Sequence, residues 1–267
     1  MDNWVAGEAY ERYVGRWSRV VAREFLSWLE VAGRREWLDV GSGTGGLSET
    51  ILELASPLRV KGIDSSAGFI ACARKRIQDA RAYFEIASAQ AVPDEPESYD
   101  SVVAGLVLNF IPEPGQAVRE MTRVTKLGGT VGAYVWDYAG KMQLMRHFWD
   151  AAAALDPRAV ELDEGRRFPI CHPKPLAELF RTAGLADVET RAIDIATDFT
   201  DFEDYWSPFL GGQGPAPSYA MSLSEGMRVA LRERIRAGLP AALDGSVRLV
   251  ARAWAVRGVR PRLPHFN

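Results

Sequence analysis

Glu36-Trp37-Leu38-Asp39-Val40 is a short apolar run that ends directly in Gly41-Ser42-Gly43-Thr44-Gly45-Gly46, and from Leu47 to Leu54 a helical period follows. A strand that passes through glycines into a helix confines this chain more than any other feature. The glycines permit a tight turn and let backbone come close to a ligand, while the helix that follows presents unsatisfied N–H groups at its first turn. Units of this kind belong to folds in which strands and helices alternate.

The alternation continues along the chain. Arg59 to Ile63 reads as a second strand, Asp64-Ser65-Ser66 as the start of a helix over Ala67 to Ala80, and Ala82 to Ile86 as a third strand. Ser98 to Leu108 carries a fourth, whose Val102, Val103, Leu106, Val107 and Leu108 are too continuously apolar for a sheet with one wet face. Pro112 and Pro114 introduce a helix over Glu113 to Lys126, ended by Gly128-Gly129, and Thr130 to Trp136 is a fifth strand. Upstream, residues 8 to about 31 place Tyr13, Trp17, Val20, Val21, Phe25, Trp28 and Leu29 at helical steps, with Gly33 as the stop. Downstream, residues 138 to 173 read as a helix around Phe148 and Trp149 followed by a polar loop, and Pro175 to Ala183 as a helix ended by Gly184. Asp187 to Ile195 and Val247 to Val256 supply two more strands, and Met227, Leu231, Ile235 and Leu239 line one face of a helix between them. These patterns predict an α/β fold, a doubly wound and mostly parallel sheet of seven strands. The expected organisation is a single domain over 1–267 with a cofactor-binding core at 33–137 and lid or substrate segments at 1–32, 138–173 and 198–245.

Gly41, Gly43 and Gly46 match G-x-G-x-x-G, a spacing that by itself fits a dinucleotide. Asp64, at the end of the second strand, suits the ribose hydroxyls of any nucleoside-like ligand. Asp39 separates the possibilities. It lies two residues before the first glycine, where a dinucleotide would bring an anionic pyrophosphate. Two unit charges at about 4 Å and an effective dielectric of roughly 20 interact by ~4 kcal/mol, of either sign. S-adenosylmethionine carries no phosphate but a cationic sulfonium and an α-ammonium, which a carboxylate attracts. The sign of the charge therefore favours the methyl donor. The competing structural roles are a solvated or helix-capping acid for Asp39 and a plain helix N-cap for Asp64.

At this point the sequence resembles the class I S-adenosylmethionine-dependent methyltransferases, within the ubiquinone/menaquinone-biosynthesis-like, type 11 group. Trp37 to Gly45 is similar to that family's first motif, and Val60-Lys61-Gly62-Ile63-Asp64-Ser65-Ser66-Ala67-Gly68-Phe69 to its second. Ala87-Ser88-Ala89-Gln90-Ala91-Val92-Pro93 resembles the third, Tyr99 to Val103 with Leu106 to Pro112 the fourth strand and its exit, and Leu127-Gly128-Gly129-Thr130 the turn before strand five. The likeness is good over about residues 36 to 137 and holds elsewhere in outline. It implies a Rossmann-like methyltransferase fold with a helical lid, S-adenosyl-L-methionine as cofactor, S-adenosyl-L-homocysteine as product, and methyl transfer to O, N or C of a small acceptor. The cofactor residues it implies are Asp39, Gly41, Ser42 and Gly43 at the turn, Asp64 and Ser65 at the ribose, and Phe69, Ala89 and Gln90 around the adenine. Leu106 at the fourth strand's exit and Tyr13 and Arg16 of the first helix complete the set. Ser88 and Gln90 depart from the family's usual acids, which leaves the partner of the adenine amino group unassigned. An NAD(P)-dependent oxidoreductase and a catalytically silent nucleoside-binding relative are the alternatives.

Methyl transfer from an already activated donor needs mainly alignment in a dry cavity, and a general base only where the acceptor must lose a proton. No catalytic residue is assigned. His147 lies in the segment after strand five, where a helix rich in Met and Trp gives a packed histidine as the simpler reading; His172 sits in a loop and His265 in the tail. Trp136, Tyr138, Phe148 and Trp149 follow strand five, and Phe199, Phe202, Tyr205, Trp206 and Phe209 follow strand six. Together with Tyr10, Tyr13, Arg16 and Trp17 of the first helix they are expected to favour an apolar or aromatic acceptor, although packing of a cap explains any single ring. Gly211-Gly212-Gln213-Gly214-Pro215 is a candidate gate. The net charge of −3 and the absence of a basic, aromatic-interleaved platform argue against nucleic acid. Two distant cysteines without metal spacing suit a reducing compartment and no metal site. The acidic opening lacks a signal-peptide pattern and no apolar run is long enough for a bilayer, so a cytoplasmic monomer or homodimer with no membrane partner is expected.

Overall fold

The computed structural model describes residues 14–212 and 214–262. Tyr10, Tyr13, Gln213, His265 and the first part of the expected initial helix lie outside the described residues. In chain order the elements are α1 (Arg16–Leu29), β1 (Glu36–Val40), α2 (Gly46–Leu54), β2 (Arg59–Asp64), α3 (Ala67–Arg76), β3 (Ala82–Ile86) and β4 (Tyr99–Gly105). Next come α4 (Pro114–Val124), β5 (Thr125–Trp136), α5 (Gln143–Leu155), α6 (Glu164–Arg167) and α7 (Pro173–Thr182). The last are β6 (Ala186–Phe199), α8 (Phe202–Trp206), α9 (Pro215–Ser222), α10 (Glu225–Gly238) and β7 (Val247–Val259).

The sheet has seven strands in the order β3-β2-β1-β4-β5-β7-β6. Parallel pairing joins β1 to β2, β1 to β4, β2 to β3 and β4 to β5, with Trp37 opposite Val60 on one side and Ser101 on the other. Val102, Val103 and Ala104 of β4 are fully buried, as their continuous apolar run requires of a strand covered on both faces. The chain winds outward from β1 to β3 and then returns to β4, so the winding reverses between β1 and β4. In open sheets of this type ligands bind outside the carboxyl ends of the strands at such a reversal.

The chain divides into two compact units. One comprises Met1–Trp17, Trp136–Cys171 and Asp194–Ala253, and the other Ser18–Val135, His172–Ile193 and Trp254–Asn267. The second holds β1 to β4 and nearly all of β5. On it, Phe25 of α1 lies against the ring of Tyr134, with centroids 4.8 Å apart, and Phe25 and Leu29 crowd Gly132, where a Cβ would come within 2.9 Å of Phe25. In the first unit the rings form the core. Phe148 stacks on Phe209 at 4.6 Å and meets Trp149 edge-on, Tyr205 packs against Phe199 and Phe209, and the Tyr205 hydroxyl donates to the Leu144 carbonyl at 2.8 Å. These side chains are buried against one another, so the aromatic crowding is accounted for by packing.

Several boundaries differ from those expected, each for a local reason. The first helix stops at Leu29, because Glu30 takes a positive φ of 53° before Gly33 is reached. Helix α3 ends at Arg76 and not Ala80: Ile77 leaves helical geometry and packs on Ile70, Ala73 and Phe84. Strand β4 ends at Gly105, with Leu106 beyond it at φ 58°. Gly128-Gly129 does not end a helix. Helix α4 stops at Val124, where the Thr125 hydroxyl donates to the Met121 carbonyl at 2.7 Å, and β5 begins at once. The two glycines sit inside β5, where pairing with β4 shifts from Tyr99 opposite Thr125 to Ser101 opposite Thr130. A bulge of this kind needs residues without a Cβ, and one at Gly129 would lie 2.7 Å from the Asp100 carbonyl oxygen. The polar loop after α5 is organised as a 3₁₀ turn, Pro157–Glu161, and α6. On α10, Leu231, Ile235 and the following Leu239 are buried while Met227 is exposed. Among the described residues no helix is long and apolar enough to cross a membrane.

Candidate functional site

Most of the expected site residues come together within the unit that holds β1 to β4. The turn after β1 folds back on β2, with the N–H groups of Gly41 and Ser42 both donating to the Ile63 carbonyl, at 2.8 and 2.9 Å. Gly41 has φ 70°, and a Cβ there would sit 2.5 Å from a methyl of Val107. Only glycine fits: the exit loop of β4 is seated directly on the turn. Gly43 is also left-handed, φ 53°, but a Cβ there would meet nothing within 4 Å. The backbone of Gly43 therefore faces open space, which leaves room for the close approach of a ligand.

Two acids flank this turn. Asp39 is only 1% exposed, so it is not a solvated strand-end acid. Its Oδ2 accepts from the Ser48 hydroxyl at 2.7 Å, and its Oδ1 is buried with no hydrogen-bond partner among the described residues. Burial pushes the Asp39 carboxyl up to about 7, against the pull of hydrogen bonds from the Ser48 side chain and backbone and with a small further push from Asp64. Asp39 thus steadies the first turn of α2 and still has an idle oxygen. The hydroxyl of Ser42 is likewise buried without a partner.

Asp64 ends β2. Its Oδ2 accepts the Gly43 N–H at 3.0 Å and its Oδ1 the Ser66 N–H at 2.8 Å. It is not the N-cap of α3; Ser66 is, taking the Phe69 N–H on its hydroxyl. Burial raises the Asp64 pKa while the two N–H donors lower it. Each carboxylate oxygen has a second lone pair, so both can accept a ligand hydroxyl as well. Ser65 is exposed beside it, and Phe69 is buried on α3.

The loop after β3 is tethered to the same edge, for the Ala87 N–H donates to the Asp64 carbonyl at 3.0 Å. In it the Ser88 hydroxyl accepts the Gln90 N–H at 3.2 Å, and the Gln90 carbonyl accepts from the Gln116 side chain at 3.5 Å. Ala89 and Gln90 are half-buried between them. Across the reversal, Leu106 donates its N–H to the Tyr134 carbonyl at 2.8 Å while holding a left-handed backbone that leucine rarely adopts.

Arg16 belongs to the other unit. Its guanidinium bonds Asp204 at 2.9 Å and lies over the rings of Trp17 and Phe199, with two nitrogens buried and unpartnered among the described residues. Tyr13 lies outside the described residues. In that unit His147 is half-buried, and burial lowers its pKa against a smaller opposing effect of Asp150.

Two buried polar residues were not singled out from sequence. Asn109, in the 3₁₀ turn Leu108–Phe110, has neither side-chain polar atom hydrogen-bonded. An asparagine after a strand reads as an ordinary turn former, and only burial distinguishes it. Glu164 is sealed in the first unit, accepting from the Trp149 indole N–H. Its spacing from Trp149 carries no local signal.

A family described as a methyltransferase domain matches residues 38–132. The chain is 30% identical over 174 residues to a demethylmenaquinone methyltransferase of Roseiflexus sp. (strain RS-1), an alignment that covers 59% of this chain and 71% of that one. It is also 30% identical over 176 residues to a ubiquinone biosynthesis O-methyltransferase of Ralstonia nicotianae, covering 63% and 71%. In fold it is similar to a Haemonchus contortus phosphoethanolamine N-methyltransferase 2 solved in complex with S-adenosyl-L-methionine, with a TM-score of 0.61, 17% identity, and 96% of this chain and 57% of that one covered.

Proposed function

This chain belongs to the class I S-adenosylmethionine-dependent methyltransferases of the type 11 group, and from that premise we propose that it methylates a small aromatic, quinol-like acceptor. The acceptor class is taken from the names of the relatives just given and from their function in quinone biosynthesis. We place the reaction in the cytoplasm, where a chain with two unpaired cysteines, Cys72 and Cys171, is at home.

S-adenosylmethionine supplies a methyl group already activated by its sulfonium charge. What falls to the protein is binding, alignment and exclusion of water. In this reading Asp64 accepts the ribose hydroxyls, with Gly43 holding its carboxylate in place, and Phe69, Ala89 and Gln90 flank the adenine. Asp39 and Ser42 face the cationic amino-acid end, and the backbone at Leu106 lines the opposite wall. The observation that carries the reading is Asp39: a sealed carboxylate with an idle oxygen, beside a glycine whose backbone faces open space. That combination suits a positively charged nucleoside and opposes a pyrophosphate.

Titration calorimetry with S-adenosylmethionine, S-adenosylhomocysteine and NAD tests this directly. Binding of both adenosyl compounds and not of NAD is expected. Tight NAD binding, or no adenosyl binding at all, would overturn the cofactor reading. Release of S-adenosylhomocysteine in the presence of reduced quinone analogues then tests the acceptor class.

A further inference from the structure

The turn that leaves β4 contains a side chain with nothing to do in the fold. Asn109 is 8% exposed, and both its amide nitrogen and its carbonyl oxygen are buried without a hydrogen-bond partner among the described residues. A primary amide can make several hydrogen bonds, and a buried one that makes none weakens the fold unless something else supplies the partners. Unsatisfied buried groups of this sort are uncommon in native proteins and call for a specific explanation.

Its position supplies one. β4 stands directly across the winding reversal from β1, and Val107, two residues before Asn109, is seated on Gly41. Leu106, in its left-handed conformation, turns the chain off the strand into this contact. Asn109 therefore belongs to the β4 wall of the crevice whose β1 wall is the glycine turn. The other side chains from Leu106 to Ile111 are Leu, Val, Leu, Phe and Ile, so the amide is the sole polar side chain of an apolar exit loop.

Its chemistry narrows the ligand. The charged end of the methyl donor calls for charge, and Asp39 offers an idle carboxylate oxygen for it. An uncharged amide, with donors and an acceptor side by side, complements a group that itself both donates and accepts, and a hydroxyl is the simplest such group. An aromatic hydroxyl compound has the remaining properties, a flat apolar body for the apolar loop and one polar edge for the amide. We propose that Asn109 is the positioning and specificity residue for the acceptor, binding a ring hydroxyl next to the atom that receives the methyl group. The proposal deepens the acceptor reading above and rests on it.

The test uses the full-length protein saturated with S-adenosylhomocysteine, with 1-naphthol and 1-methoxynaphthalene as probes that differ in the hydroxyl. The wild type should bind 1-naphthol more tightly, by roughly ten- to hundredfold, and Asn109→Leu should erase that preference. The variant should keep its affinity for S-adenosylhomocysteine within about twofold, and its Tm should be equal or higher, because a buried amide without an internal partner has been removed. Retained discrimination in Asn109→Leu, or none in the wild type, overturns the proposal. A parallel loss of S-adenosylhomocysteine affinity also overturns it, since Asn109 would then serve the donor. Should Asn109→Leu fail to fold, the side-chain NH₂ resonance of Asn109 in ¹⁵N-asparagine-labelled wild type decides: it should move on adding 1-naphthol, and a resonance that stays still sinks the idea. Failure of the wild type to bind S-adenosylhomocysteine at all is a different result, and it removes the cofactor reading instead.

Discussion

Asp39 and Glu164 are both carboxylates sealed from solvent, and burial pushes each of them up to about 7. Their surroundings have little else in common. Around Glu164 the first unit closes up: the Trp149 indole donates to the carboxylate, and the neighbouring Asp163 is paired with Arg146. Around Asp39 there is one hydroxyl, from Ser48, an idle oxygen, and a glycine turn whose backbone opens outward. A displaced pKa therefore does not by itself mark a ligand site, since structural networks displace pKa values too. What separates the two acids is whether the protein itself has used up their hydrogen-bonding capacity.

The sharpest break between them should come from removing charge at each. Asp39→Asn is expected to weaken S-adenosylmethionine binding by about a hundredfold, the scale of ~3 kcal/mol for a lost charge-assisted interaction. Glu164→Gln should leave it unchanged by calorimetry. Equal losses would erase the distinction. Asp64→Asn should cost roughly 1.5–3 kcal/mol in binding of both S-adenosylmethionine and S-adenosylhomocysteine, because the ribose is common to them. An unchanged dissociation constant would place the ribose elsewhere.

A smaller effect follows from titration. With its carboxyl at about 7 in the free protein, Asp39 is substantially protonated just below neutrality. A cation prefers the ionised form, so S-adenosylmethionine affinity should rise by roughly fivefold between about pH 6 and pH 8 and then level off, with proton release on binding. S-adenosylhomocysteine, which lacks the sulfonium charge, should respond less. A flat profile for both would separate Asp39 from the ligand's charge.

Glu164 should appear instead in stability. Its folded pKa is raised from 4.5 to about 7, so its contribution is most favourable below about pH 4.5 and is lost as pH rises through about 7. Chemical denaturation of Glu164→Gln near pH 8 should show a gain on the order of 1 kcal/mol that disappears near pH 4.5. Asp39 adds a loss of the same sign over about pH 4 to 7, so the double variant should show the flattest profile. The smallest expected effect is at His147, which burial favours in its neutral form: His147→Ala should alter turnover by less than about twofold once an acceptor is in hand.

These two regions were not equally legible. β1 and β3 carry their bounds in the sequence because short apolar runs end there at turn residues. The acids at the ends of β1 and β2 are recognisable because they stand beside a glycine pattern whose geometry is local. Helix ends were harder. Gly128-Gly129 looks like a stop, yet it is a bulge inside β5, because the strand's pairing with β4 and the crowding at Asp100 are long-range facts. The rings after β5 and β6 could have lined a pocket or filled a core, and period alone does not choose between them. Asn109 and Glu164 escaped notice for a related reason: an asparagine in a turn and a glutamate near a proline-bearing segment look ordinary until burial is known.

The seating of Val107 on Gly41 ties two stretches of chain that are distant in sequence. A broader side chain at either position would have to be answered by a narrower one at the other, so the pair should drift together across descendants of this chain. For anyone reshaping the enzyme, widening this corner for bulkier acceptors would loosen the grip on the methyl donor, and the two selectivities would have to be evolved as one trait.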